Sequence, residues 1–503
     1  MRKVGAGNDE MISRRFFLAS ALAGTASTAF AAAPLQSPRP LVRPDGIVVR
    51  SLPSALDLVE RAGLGGRVGF VVANARTGQV LETYNPLLAL PPASVAKAIT
   101  TIYGLERLGP GFRFHTQIVA AGTLRNGRLD GDLWLVGGGD PVLDTDALNQ
   151  MANAIRAAGL REVTGKLRIA SGALPYVREI SADQPDHVGY NPAIGGLNLN
   201  FNRVHFQWER TQDQYTLQMD ARSGTIRPPV SGLRMRIAER DSPVYTFSER
   251  QGREEWTVAR GALGESGSRW LPVRQPHLYA AEVFQVLARS NGIILDGPEV
   301  GQGPPAGSVV MVEQTSPPLE EILRDMMRWS TNITAEAVGL MASQAGGESP
   351  NTLSASARMM SRWMEDRLEA RRPRFVDHSG LSDDSRVTAN DMSHALVRAG
   401  ADGLLRRLMK SIELRDDAGR PMPDHPISVV GKTGTLNFVS GLAGYTQAAG
   451  KRDLAFAVFC ADVDRRRALR TDQMEHPDGW RSYNTRAKRL QQALIERWVA
   501  TYG

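Results

Sequence analysis

Cysteine is almost absent from this chain. Cys460 is the only one in 503 residues, so no intramolecular disulfide can form and stability must come from the packed core. It lies in the apolar run Leu454 to Phe459, which reads as a buried strand. Lysine is nearly as scarce, with seven among 60 basic residues. That bears on chemistry, because a lysine can lose its proton at workable pH and an arginine cannot. Aromatic residues make up 6% and no Lys/Arg stripe is present, which excludes nucleic acid as a partner. The net charge of +7 reads as a solvated basic surface. The eight histidines include no His-Glu-x-x-His or other ligand-spaced pair, so no metal is expected, and no cofactor motif is found. Gly137-Gly138-Gly139 is followed by Pro141 and by no Gly-Lys-Ser/Thr, so it reads as a turn rather than a phosphate loop. No Gly-x-Ser-x-Gly elbow occurs, which argues against an α/β-hydrolase. Beyond the N-terminus no apolar run reaches the length of a membrane-spanning helix.

Against these absences stands a legible address. Ser13-Arg14-Arg15-Phe16-Phe17-Leu18 leads into a short, Ala- and Gly-rich apolar stretch that ends Ala29-Phe30-Ala31. Residues 1–31 are therefore expected to be a twin-arginine signal peptide, with the mature protein soluble and periplasmic. Residues 32–44 form a Pro-rich leader. A helix near Leu56 to Ala62 and two strands, from Arg67 and from Val80, open the first domain. Between 113 and 270, short alternating runs (116–121, 133–136, 166–170, 215–219, 233–237) point to a β-rich insertion of one or two subdomains. Helical periodicity returns at 276–290 and dominates 319–371. Further helices are expected at 389–398 and 483–502, with strands at 427–430, 441–445 and 454–459 between them.

Three motifs carry chemistry. Ser94 and Lys97 are three residues apart at a helix start marked by Pro91-Pro92, so they share one face. A neutral Lys97 amine there can accept the Ser94 hydroxyl proton, the activation a serine nucleophile needs. Ser330-Thr331-Asn332 opens a second helix, where Ser330 alone would pass for an N-cap. Lys432-Thr433-Gly434-Thr435 follows the apolar strand of Ile427 to Val430. It places an ammonium and hydroxyls beside a glycine that lets another backbone approach, which suits capture of a substrate carboxylate by an edge strand.

Together, in this order, the three motifs resemble the triple of the penicillin-recognising acyl-serine enzymes. The stretch from Ser94 to Ser330 is far longer than a compact β-lactamase needs. That places the likeness with the D-alanyl-D-alanine carboxypeptidase/endopeptidase family, the class C low-molecular-mass penicillin-binding proteins. Leu135 to Pro141, Leu197 to Asn202, Ser330 to Glu336 and Asp377 to Ser382 look similar as well, although His378 stands where a small residue is expected. The 377–382 stretch is read as supporting structure.

The resemblance implies an α/β (α+β) fold. A transpeptidase/β-lactamase-like domain, residues 45–112 plus 271–503, has helices around an antiparallel sheet and is interrupted by the 113–270 insertion. It also implies roles: Ser94 forms the acyl-enzyme, Lys97 is its base, and Ser330 relays protons to the leaving amine. Asn332 bonds the substrate backbone, Lys432 and Thr433 hold the terminal carboxylate beside Gly434, and the N–H groups of Ser94 and Thr435 form the oxyanion hole. Lys432 is expected to help burial depress the pKa of Lys97. The implied partners are peptidoglycan peptides ending in D-Ala-D-Ala, with β-lactams as inhibitors. Rival readings are a β-lactamase or D-amino-acid esterase, and a catalytically silent wall-binding scaffold. The apolar face of the final helix (Leu490, Leu494, Ile495, Trp498) has two readings, packing on the sheet or peripheral membrane contact.

Replacing both Arg14 and Arg15 by lysine keeps the charge but removes the guanidinium pair. Cell fractionation is expected to find this variant retained and unprocessed. Full maturation outside the cytoplasm would mean another export route.

Overall fold

The first described helix follows from its cap. Ser54 and Asp57 bond each other's backbone N–H groups in a reciprocal capping box, which starts α1 (Ala55–Ala62). The protein is described here by a computed structural model covering residues 52–503, except Gln251, Asp417 and His476. The expected signal peptide and leader lie outside the described residues. The run from Arg67 becomes β1 (Arg67–Asn74) and returns as β2 (Val80–Tyr84). Asn74 makes the turn between them, its side-chain oxygen accepting from the backbone N–H of Arg76 and Thr77. A single tight turn at Ala93–Val95 then leads directly into α2 (Ala96–Leu108).

The insertion follows. Strands β3 (His115–Arg125) and β4 (Arg128–Gly137) form a hairpin; α3 (Thr145–Ala157) then leads to β5 (Leu167–Ala170), which lies parallel to β4. Two small sheets come next, one containing β6 (Arg203–Thr211) and β7 (Gln214–Asp220). The other is formed by β8 (Leu233–Ala238), β9 (Tyr245–Arg250) and β10 (Arg253–Ala259). Strand β11 (Ser266–Pro272) closes the first of these against β6. The long helix α3 was not anticipated within this β-rich stretch.

The expected boundary at residue 271 needs correction. Helix α4 (Pro276–Ser290) covers the insertion, sharing a core with α3 through Met151, Ile155, Val283 and Phe284. Strand β12 (Pro298–Val300) pairs with β5, and β13 (Val309–Thr315) pairs with β3. Both belong to the insertion's main sheet, so the chain rejoins the other layers only near Leu319. Hydrophobic periodicity shows that a helix buries a face, but not against which layer.

Four helices then follow: α5 (Leu319–Trp329), α6 (Asn332–Ala345), α7 (Leu353–Leu368) and α8 (Ala389–Ala399). Strands β14 (Lys410–Ser411), β15 (Ile427–Leu436), β16 (Val439–Ala448) and β17 (Leu454–Ala461) come next, before the C-terminal helix α9 (Trp480–Tyr502). The main sheet runs β14-β15-β16-β17-β1-β2 and is antiparallel throughout. One face packs on α2 and α5–α8 through residues such as Tyr103, Met326, Trp363, Leu396 and Tyr445. The other face packs on α1 and α9, where Leu490, Leu494, Ile495 and Trp498 are buried against Phe70 and Phe456. Each such side chain contributes about 1.5–3 kcal/mol relative to exposure. The apolar face of α9 is thus consumed by the sheet, and the membrane-contact reading of it does not hold.

His378 fits because of a glycine. It is fully buried, with Nε2 2.8 Å from Ser356 Oγ, and a Cβ on Gly339 would lie 2.1 Å from its ring. Gly339→Ala is therefore expected to cost about 1–3 kcal/mol by overpacking, outweighing the gain of about 1 kcal/mol from better helix propensity. Urea denaturation checks this, and pairing it with His378→Ser should restore stability. A Gly339→Ala variant as stable as the parent would contradict the packing argument.

Candidate active site

Ser94 sits in the short turn before α2, directly after Ala93, whose φ of 47° is unusual for a residue with a side chain. Lys97, one turn on, is fully buried. Its Nζ lies 3.0 Å from Ser94 Oγ, 2.7 Å from Asn332 Oδ1 and 2.8 Å from the Ser379 carbonyl. An ammonium has three N–H donors and satisfies all three. A neutral amine has two, plus a lone pair. Asn332 Oδ1 and the Ser379 carbonyl can only accept, so the lone pair must face Ser94, the one partner with a proton to give.

The acceptors are themselves fixed. The Asn332 side chain donates through Nδ2 to the Tyr190 carbonyl at 2.8 Å, which turns Oδ1 toward Lys97. Tyr190 belongs to the insertion, so that domain reaches into the site. Glu336 accepts from the backbone N–H of His378 (2.9 Å) and Ser379 (2.8 Å), and Asp377 accepts from Gly380 and Ser382, both at 2.7 Å. These bonds lock the loop that presents the Ser379 carbonyl. The 377–382 stretch, expected only as support, thus places a backbone atom on the lysine.

Burial dominates the electrostatics. Desolvation pushes Lys97 down to about 8, against the opposing charges of Glu336 and Asp377. Burial raises both of those carboxyls above the usual range. The expectation that Lys432 would help depress Lys97 is not met, since the charges that act on Lys97 are those of Glu336 and Asp377, and both raise it. Lys432 itself is held well below its ordinary value, first by burial and then by the charges of Lys97 and Lys410.

Ser330 is not the N-cap of α6. It ends α5 in the left-handed region (φ 60°), and Thr331 takes the N-cap position of α6. That bend aims its hydroxyl at Lys432, whose Nζ donates to Ser330 Oγ at 2.9 Å and to the Thr433 carbonyl at 2.8 Å. The Ser330 proton is left available for another acceptor. Lys432 lies on β15, where β14 pairs only with Val430 and Gly431, so residues 432–436 form an open edge. A Cβ on Gly434 would lie 2.6 Å from the Pro92 carbonyl and 3.0 Å from the Ser94 N, so only glycine lets the edge approach the Ser94 turn. Ser94, Tyr190, Ser330, Asn332 and Thr435 line a cleft of about 280 Å³, together with Arg466 and Glu475. Sequence reasoning did not single out Tyr190, Glu336, Ser379, Arg466 or Glu475. Among the described residues no cluster of His, Cys, Asp and Glu is arranged to hold a metal ion.

This geometry has relatives. The D-Ala-D-Ala carboxypeptidase 3 (S13) family matches residues 57–481. The chain belongs to that family. Among similar proteins, the D-alanyl-D-alanine carboxypeptidase of an Actinomadura species is 27% identical over 437 residues, covering 80% of this chain and 79% of its own. DacB of Haemophilus influenzae, also a D-alanyl-D-alanine carboxypeptidase, is 23% identical over 420 residues, covering 80% of this chain and 87% of its own. The crystal structure of H. influenzae penicillin binding protein 4 shares the fold, with a TM-score of 0.71 at 19% identity, covering 89% of this chain and 99% of that one. S13 membership gives the clustered Ser94, Lys97, Ser330 and Lys432 a family setting and removes the reading as a silent scaffold.

A base at Lys97 predicts that acylation of Ser94 by penicillin rises with pH through about 8, following the neutral amine whose pKa burial has lowered. Lys97→Arg keeps the positive charge without a usable base and is expected to lose about 10²–10⁴-fold in acylation rate, with circular dichroism unchanged. Rates within a few-fold of the parent would make Lys97 an electrostatic contributor only.

Proposed function

We propose that this protein is a serine-type D-Ala-D-Ala carboxypeptidase/endopeptidase that acts on peptidoglycan peptides through an acyl-enzyme on Ser94. The observation that carries the reading is the contact of Ser94 Oγ with the buried Lys97 Nζ at 3.0 Å, in a chain of the S13 family. Ser94 Oγ attacks the carbonyl of the penultimate D-alanine while Lys97 Nζ takes the hydroxyl proton. The backbone N–H groups of Ser94 and Thr435 stabilise the oxyanion. As the C–N bond breaks, the proton passes from Lys97 by way of Ser330 to the departing amine. Water then attacks the ester, and Lys97 again serves as base.

Asn332 positions Lys97 as well as the substrate backbone. Lys432 and Thr433 receive the terminal carboxylate at the open edge. An arriving carboxylate offsets the burial and like charge that hold Lys432 down, so binding and charging of Lys432 are linked. β-Lactams acylate the same serine because they present a strained amide to the same oxyanion site; the H. influenzae penicillin binding protein 4 has been determined in complex with a novel β-lactam. The twin-arginine pattern at Arg14 and Arg15 supports a periplasmic location, on the side of the membrane where the substrate lies.

Incubation with a disaccharide pentapeptide is expected to release free D-alanine, with Ser94→Ala inactive and penicillin labelling only the peptide that contains Ser94. Mass spectrometry reads both. An adduct on another serine, or activity surviving in Ser94→Ala, would overturn the assignment.

A further inference from the structure

The open edge of β15 adjoins two clefts that meet at Thr435. One is the cleft over Ser94. The other, about 370 Å³, lies between β14, β15 and α9, with Thr433, Thr435, Lys410, Arg415, Lys488 and Glu413 on its walls. Its volume falls within the range of small-ligand sites, about 300–1,000 Å³. Release of a lone D-alanine leaves nearly all of it unused.

The direction of a bound substrate follows from the edge. With the acyl group on Ser94 and the leaving carboxylate at Thr433, a peptide laid on residues 432–436 runs from Leu436 toward Gly431. There β14 closes the edge by pairing Lys410 with Gly431 and Ser411 with Val430. The departing residue therefore faces the second cleft, and a long side chain on it would enter.

The walls of that cleft are cationic. Lys410, Arg415 and Lys488 stand against the single carboxylate of Glu413. Arg415 Nη1 donates to the Gly419 carbonyl at 2.7 Å, whereas the side-chain amine of neither lysine has an ion-pair or hydrogen-bond partner among the described residues. The chain uses only seven lysines; two of them are Lys97 and Lys432, and two more line this adjoining groove. Lys410 is close enough for its charge to bear on Lys432.

We infer that this groove is a leaving-side subsite for a carboxylate-bearing residue, with Lys410 and Lys488 selecting substrates whose departing residue has an acidic side chain. The inference rests on the proposed function, which fixes the end of the substrate that leaves.

The test compares kcat/KM for three peptides with the same acyl part and D-Glu, D-Gln or D-Ala as the departing residue. Two partly exposed ion pairs give about a 2- to 20-fold preference for D-Glu over D-Gln at low salt, shrinking as salt rises. Lys410→Gln and Lys488→Gln should each move that ratio toward one, while Lys488→Arg retains it. A purely structural role would change all three peptides alike. Hydrolysis by the parent protein with a ratio at or below one, or a ratio unmoved by both glutamine variants, overturns the inference and leaves the proposed function standing. Failure to hydrolyse any of the three, with no penicillin adduct on Ser94, removes both.

Discussion

The structure turns on one buried amine. Lys97 Nζ has no exposure to water and three fixed neighbours: a hydroxyl, a side-chain amide oxygen and a backbone carbonyl. Removing an ammonium from water disfavours its charged form, and that cost favours the neutral amine, the form able to accept a proton. The same three contacts determine where its lone pair points once the proton has gone. Burial and geometry therefore act together: one sets how often the amine is neutral, and the other sets which hydroxyl it then faces.

The surrounding residues are arranged to keep that amine in place. Asn332 is turned by the Tyr190 carbonyl, which comes from the insertion. Ser379 is held by Glu336, and the bend after it by Asp377. The two carboxyls are buried as well, and their charge opposes the desolvation of Lys97. The pKa of about 8 is thus a balance between a desolvated ammonium and nearby carboxylates. On the far side of Ser94, Gly434 lets the sheet edge close against the Ser94 turn. Helix, sheet and insertion each supply one wall, which explains why the candidate residues are so far apart in sequence.

Much of this was legible in advance. Ser94 and Lys97 are three apart on a helix, so their proximity follows from helical geometry alone. Lys432 to Thr435 extend a plainly apolar strand. The final helix announced its buried face through Leu490, Leu494, Ile495 and Trp498. What escaped notice involves backbone or long-range partners. The carbonyls of Tyr190 and Ser379 act through main-chain atoms, which any residue carries, so no side-chain pattern marks them. The left-handed turn at Ser330 cannot be read from a serine, a residue that more often caps a helix. Helix α4 was expected in the wrong layer because amphipathic periodicity is silent about the partner, and strands β12 and β13 were not anticipated.

The central claim concerns the protonation state of one side chain, and the scarcity of lysine makes it measurable. With [13Cε]lysine incorporated, at most seven signals are present, and comparison with Lys97→Arg assigns the one from Lys97. The account predicts that this signal titrates with a midpoint at about 8, well apart from exposed lysines near about 10.4. A Lys97 midpoint at the ordinary lysine value would contradict it, since the amine would then be charged at working pH and the burial argument would fail.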